Sequence, residues 1–260
     1  MTTDLRTLTR SDAPSGLRRR RRSRLDQLAY STPVALILGL LATYLLAPDF
    51  YLSYVLEFSR REYQIVEIAT VASAIPACLL LFWSAWRFGQ DPGQRSGGVI
   101  VGMIGLATLF FAGEETSWGQ TYLGWDTPEL IRPLGGETNL HNMRVPIPVQ
   151  GLGSAFLLAV FVALPLAWRW RDRLPLPKGW ACAIAEGPVV FSMVLAFAWK
   201  EIKTVYLWLG PEVEGSPTLF YVEFIEQINE QKELLIAVGL LTYALYRVRL
   251  ARAIITRFRT

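Results

Sequence analysis

An all-α bundle of about six transmembrane helices is the fold this sequence predicts, and three observations predict it. Charged residues make up 18% of the 260-residue chain and hydrophobic ones 52%, against about 25% charged in ordinary soluble domains, so polar surface is too scarce for a water-soluble globule. Six apolar stretches are each long enough to cross a hydrocarbon core that takes about 20 helical residues. Basic and acidic residues gather at opposite ends of those stretches. The two Cys exclude a disulfide-stapled secreted scaffold, and the single His excludes a three-His zinc site.

Residues 1–27 form a basic tail, expected to be disordered and cytoplasmic, and residues 28–260 a single transmembrane domain. Eight Arg lie between Arg6 and Arg24, five of them in the run Arg18 to Arg22. Such a run is costly to translocate and anchors the amino terminus inside, against anionic lipid headgroups. No aromatics interleave with it, so nucleic acid is not an expected partner. The first apolar stretch, Leu28 to Leu46, exceeds the apolar region of a signal peptide and lacks a clear small-residue cleavage site, so it is expected to be a retained helix. The next spans are Gln64 to Phe88, Gly97 to Trp118, Pro148 to Trp168, Trp180 to Leu209 and Leu219 to Tyr246. The last two exceed what a bilayer needs and predict tilt or projection. Pro76, Pro165 and Pro188 predict kinks. Gly98, Gly102 and Gly105 make a small-residue face for close helix packing.

Alternating these spans from an inside amino terminus puts both termini in the cytoplasm. The basic residues agree: the tail, Arg87, Arg95, Arg169, Arg171, Arg173, Lys178 and the Arg residues after Tyr246 then all lie inside. A bacterial inner membrane is the expected location, partly on the preference for Arg over Lys. The acids run the other way. Only Asp4, Asp12, Asp26, Asp91, Asp172 and Glu186 of the 22 fall on or near the inner side. Acidic residues contribute little to insertion topology, so their outer concentration calls for another explanation.

The chemistry is expected in an outer segment at about 113–147 and in the last span. The third span ends in Gly113-Glu114-Glu115-Thr116-Ser117-Trp118-Gly119-Gln120. Adjacent carboxylates at a hydrocarbon boundary are a candidate general acid and base. They point about 100° apart on a helix and so are expected to have different partners. Asp126 or Thr127 before Pro128 predicts the start of a short surface helix, and Trp118, Tyr122 and Trp125 suit an interface. Glu137 and His141, four apart, share a helical face, where a carboxylate and an imidazole can share a metal or a proton; a hydrogen-bonded structural His is the alternative. Glu223, Glu226, Glu230 and Glu233 fall within an arc of about 80° on the last helix. That stripe invites a divalent cation or Lys232, Lys200 and Lys203 as partners, or else projects into water as a solvated face. Glu67, a turn inside the second span, belongs to the bundle interior or a wet cavity. Glu67, Glu114, Glu115, Glu137, His141, Glu226 and Glu230 are therefore expected to converge near one depth.

Two resemblances attach to these residues. The stretch from Gly113 to Gln120, with Gly124-Trp125-Asp126-Thr127-Pro128-Glu129 and Glu137-Thr138-Asn139-Leu140-His141-Asn142, resembles the signature of an uncharacterised bacterial multi-pass membrane protein family, and it brings no established activity. The Glu114–Glu115 pair resembles the first motif of CAAX-protease-like glutamate intramembrane proteases, in which paired Glu and two His-bearing helices activate a water. Here Trp118, Gly119 and Gln120 replace the Arg expected after the pair, and there is one His. What carries over is Glu114 and Glu115 as water-activating groups.

The leading functional expectation is a membrane-embedded hydrolase or transferase acting on a lipid or peptide at the outer leaflet. Glu114 or Glu115 serves as base and His141 as shuttle or ligand. Glu67, Glu137, His141, Glu226 and Glu230 are the candidate metal ligands. Carboxylates with one imidazole suit Mg²⁺, Mn²⁺ or Fe. An ion-coupled transporter and a non-catalytic assembly subunit with an acidic docking face are the alternatives. Oligomeric state is not encoded in any pattern found.

Overall fold

The computed structural model describes residues 23–55, 65–129, 149–171, 173, 176–209, 224 and 228–257. Among them there is no strand. Helix α1 (Arg24–Leu46) opens with a reciprocal cap: the Ser23 hydroxyl accepts from the Asp26 amide and the Asp26 carboxylate from the Ser23 amide. Helices α2 (Ile65–Gly89) and α3 (Arg95–Glu115) follow as expected from the apolar pattern. Helix α4 runs from Val149–Leu158 through a π turn at Ala159–Ala163 into Leu164–Trp168. The π turn directly precedes Pro165, which has no amide to continue the ladder, so the expected kink is taken up as a bulge. Helices α5 (Gly187–Leu209) and α6 (Ile228–Arg257) complete the set.

Five helices are long and apolar enough to cross a membrane: α1, α2, α3, α4 and α6. Helix α5 is long enough at 23 residues, but Lys200, Glu201 and Lys203 crowd its last third and make it too polar to qualify. The expected span from Trp180 is also broken. Lys178–Ala183 forms a 3₁₀ turn, residues 184–186 are non-helical, and Pro188 sits in the first turn of α5 rather than kinking it. The expected third span stops at Glu115 instead of Trp118. No helix starts between Asp126 and Glu129. The basic tail through Arg22 lies outside the described residues.

Helix α6 is the axis of the bundle. Helix α2 packs along both α3 and α6, and α5 lies on α6. The glycine face does what its spacing implies: Cβ atoms at Gly98 and Gly105 would meet Ala85, Phe88 and Phe82 of α2 at 3.1 Å, so any larger residue would push the two helices apart by a few tenths of an ångström. One end of the bundle is stapled by buried polar groups. Arg247 of α6, 1% exposed, pairs with Glu186, donates to the Cys182 carbonyl and lies 4.8 Å from the Tyr243 ring. Tyr243 donates to the Ala183 carbonyl at 2.7 Å, and Tyr246 to Asp26 at 2.5 Å. Large apolar side chains such as Leu38, Leu79, Leu106 and Val194 face outward, which suits helices surrounded by hydrocarbon rather than water.

Candidate functional site

The turn after α3 explains its sequence. Ser117 and Trp118 both take positive φ, at 45° and 57°, and Gly119 follows at 87°. Left-handed backbone is costly for side-chain-bearing residues, on the order of 1–3 kcal/mol each, so packing must hold it. The Trp118 ring folds back over Gly113, where a Cβ would lie 2.8 Å from it. Its edge meets Phe110 at 5.5 Å between centroids, and its indole N–H donates to Glu114 Oε1 at 2.7 Å. Gly113, Glu114, Trp118 and Gly119 are thus one structural unit. Glu114, only 5% exposed, is held by the indole, whereas Glu115 is half-buried and turned elsewhere.

Glu115 turns toward α6. One carboxylate oxygen each from Glu115, Glu230 and Glu233 lie within 4.8 Å of one another. Glu230 and Glu233 are one turn apart on α6 and share a face. Glu67 of α2 and Lys232 act electrostatically on the same carboxylate, and the Lys232 ammonium stands 3.6 Å from Glu233. Two features bring these helices together. Ala74, Ala112 and Ala237, one each from α2, α3 and α6, are buried in one contact, and their small side chains let the helices approach within about two turns of the acids. The first turn of α6 is also fixed in rotation by Gln231. Its amide is fully buried, accepts from Trp199 Nε1 at 2.8 Å and donates to the Tyr51 hydroxyl at 2.9 Å.

A cavity of about 430 Å³ opens beside the cluster, between α3, α4 and α6. Its charged lining residues are Glu114, Glu115, Lys232 and Glu233, all at one end, and the remainder is mostly apolar, from Phe111 and Leu157 to Ile104 and Leu240.

Of the expected site residues, Glu115 and Glu230 meet, Glu67 stands within electrostatic reach, and Glu114 sits at the cavity edge. Glu137, His141 and Glu226 lie outside the described residues. Glu233 was visible in the acidic stripe but not placed in the expected ligand set; its i+3 spacing from Glu230 is the signal that points to it. Nothing in the pattern singles out Gln231, Trp199 and Tyr51, because their contacts join distant parts of the chain. Three or four oxygens within 5 Å can surround a hard cation bonded at about 2.0–2.6 Å, so the donor set fits Mg²⁺ or Mn²⁺ by both atom type and spacing.

Fold and site together define a helical bundle with membrane-length apolar helices and a carboxylate cluster at the polar end of an apolar cavity. No protein-family model, curated protein or solved structure matches the chain.

Proposed function

We propose that this chain is a six-span bacterial inner-membrane protein with both termini inside, and that its outward-facing carboxylate site carries out metal-assisted hydrolysis or group transfer on a lipid or peptide. The observation that carries the reading is the meeting of Glu115, Glu230 and Glu233 at the polar mouth of an otherwise apolar cavity. Like charges so close favour a cation between them. The resemblance of the Glu114–Glu115 pair to glutamate intramembrane proteases supports a water-activating role for Glu115.

In this reading Glu230 and Glu233 would hold the cation, with Glu226, four residues before Glu230 in the sequence, as a further candidate ligand. The cation supplies Lewis acidity toward a carbonyl or phosphoryl oxygen. Glu115, facing them from α3, takes the proton of the attacking water and returns it to the departing oxygen of an ester or phosphoester or the departing nitrogen of a peptide. Glu114 is the positioning partner, fixed by Trp118 so that the helix ends with Glu115 aimed across the gap. His141 and Glu137, from the sequence between α3 and α4, would complete the set.

The test is metal analysis and turnover with the purified protein. Stoichiometric Mg²⁺ or Mn²⁺ that a chelator removes, and that Glu230→Gln loses while the helical content persists, is the expected result. Glu115→Gln is expected to abolish turnover and to weaken metal binding less than Glu230→Gln does. Substrate flux in proteoliposomes without any hydrolysis would make it a transporter instead.

A further inference from the structure

The cavity also says what kind of molecule enters it. We infer that it seats a single-chain phospholipid, its acyl chain along α3 between α4 and α6 and its phosphate at Lys232; what is done to that lipid rests on the enzymatic reading above. Length is the first argument. The lining runs along α3 from Ile104 to Glu115, eleven residues or about 16 Å at 1.5 Å each. One leaflet of hydrocarbon is about 15 Å deep, half of the roughly 30 Å core. From its charged mouth to its apolar end the cavity therefore has the depth of one leaflet, of which the stretch from Ile104 to Phe111, about 10 Å, is mostly apolar. Volume is the second. At about 430 Å³ the space lies toward the low end of ligand pockets, roughly 300–1,000 Å³, which suits one chain better than two.

Access and charge complete the case. Helix α4 forms the outer wall, yet Leu152 and Gly153 of the lining are exposed on it, so the cavity communicates sideways with hydrocarbon. Lys232 is buried and lines the mouth. Its ammonium stands 3.6 Å from Glu233, an ion pair longer than a hydrogen bond. With a divalent cation among Glu115, Glu230 and Glu233, that ammonium would bring these groups to neutrality, leaving Glu114, held by the Trp118 indole, as the remaining charged lining residue.

Native mass spectrometry of the protein released from liposomes tests the assignment. The liposomes contain equal amounts of a lysophosphatidate, a two-chain phosphatidate and a neutral monoacylglycerol. One retained lysophosphatidate per chain is expected, in preference to the other two. Gly153→Phe should reduce its retention about tenfold or more by filling the cavity. The fold should tolerate that change, because a Cβ at Gly153 meets nothing within 4 Å. Lys232→Met should cancel the preference over monoacylglycerol, since a charge-assisted hydrogen bond is worth about tenfold in affinity. Equal retention of all three lipids, or retention indifferent to Gly153→Phe, overturns the inference. Metal and turnover in the same preparation separate the two readings: bound metal and turnover without lysophosphatidate overturn the lipid assignment alone, and lysophosphatidate retained by metal-loaded protein without any turnover overturns the enzymatic reading alone.

Discussion

Trp118 is the residue on which the geometry of the carboxylate pair turns. Its indole N–H occupies Glu114, and this leaves Glu115 as the acid presented to α6. Trp118→Phe preserves a ring over Gly113 and against Phe110 but removes the donor. Losing a hydrogen bond to a charged group costs about 1.5–3 kcal/mol, so the variant should unfold earlier by about that amount in thermal or denaturant melts in detergent. Gly113→Val should be worse, because its Cβ would lie 2.8 Å from the Trp118 ring and push that ring off the left-handed turn. At this scale the sequence was partly legible. The 100° offset between adjacent helical positions indicates that Glu114 and Glu115 have separate partners. It does not indicate that one partner is an indole three residues past the helix end. That contact needs Ser117 and Trp118 in a region most side chains avoid, and no helical periodicity encodes it.

Among the elements, the junction of α2, α3 and α6 decides whether a site exists. Ala74, Ala112 and Ala237 meet there. Enlarging one of them forces the helices apart, at about 1–3 kcal/mol for an overpacked core. Ala112→Leu should therefore retain helical content by circular dichroism yet lose bound cation, whereas Leu106→Ala, on the exposed face of α3, should lose none. The staple at the other end of the bundle is independent of the site. Burial pushes the Glu186 carboxyl above the usual carboxylate range, and the Arg247 guanidinium opposes that shift. Removing Arg247 leaves Glu186 without its counter-charge. Because Glu186 keeps about a third of its side-chain exposure, Arg247→Leu should cost toward the lower end of the roughly 3–5 kcal/mol typical of broken buried pairs, measured by denaturant unfolding with metal content unchanged. Helix existence was legible here from apolar length. The break before α5 was less so: Trp180-Ala181-Cys182-Ala183 is as apolar as a helix, but it is drawn under α3, where a Cβ on Gly97 would strike the Gly179 carbonyl at 2.1 Å. Such docking is a tertiary choice that overrides local composition.

The whole molecule is polarised in charge. The carboxylate cluster occupies one end, and Arg87, Arg95 and the Arg247 staple the other. This asymmetry was legible from the sequence, since it needs only span boundaries and a count of basic residues. The number of crossings needs more, because α5 carries three charges in its last third. Single engineered cysteines decide it, and the native pair will not interfere: Cys78 and Cys182 are both buried, and burial pushes the Cys182 thiol up to about 11. The thiolate that reacts with maleimides is then scarce at neutral pH and forms only as pH approaches that value. Intact cells carrying the unaltered chain should therefore stay unlabelled at pH 7.5. Asp126→Cys, exposed just past α3, and Trp208→Cys, at a position 81% exposed near the end of α5, should both label from outside. Pro92→Cys and Lys178→Cys, on exposed turns at the other end, should label only after permeabilisation. Labelling of both Lys178→Cys and Trp208→Cys only after permeabilisation would mean that α5 does not cross and would reduce the bundle to five spans. The complete reverse of the expected pattern would turn the carboxylate cluster toward the cytoplasm and move its substrate to the inner leaflet.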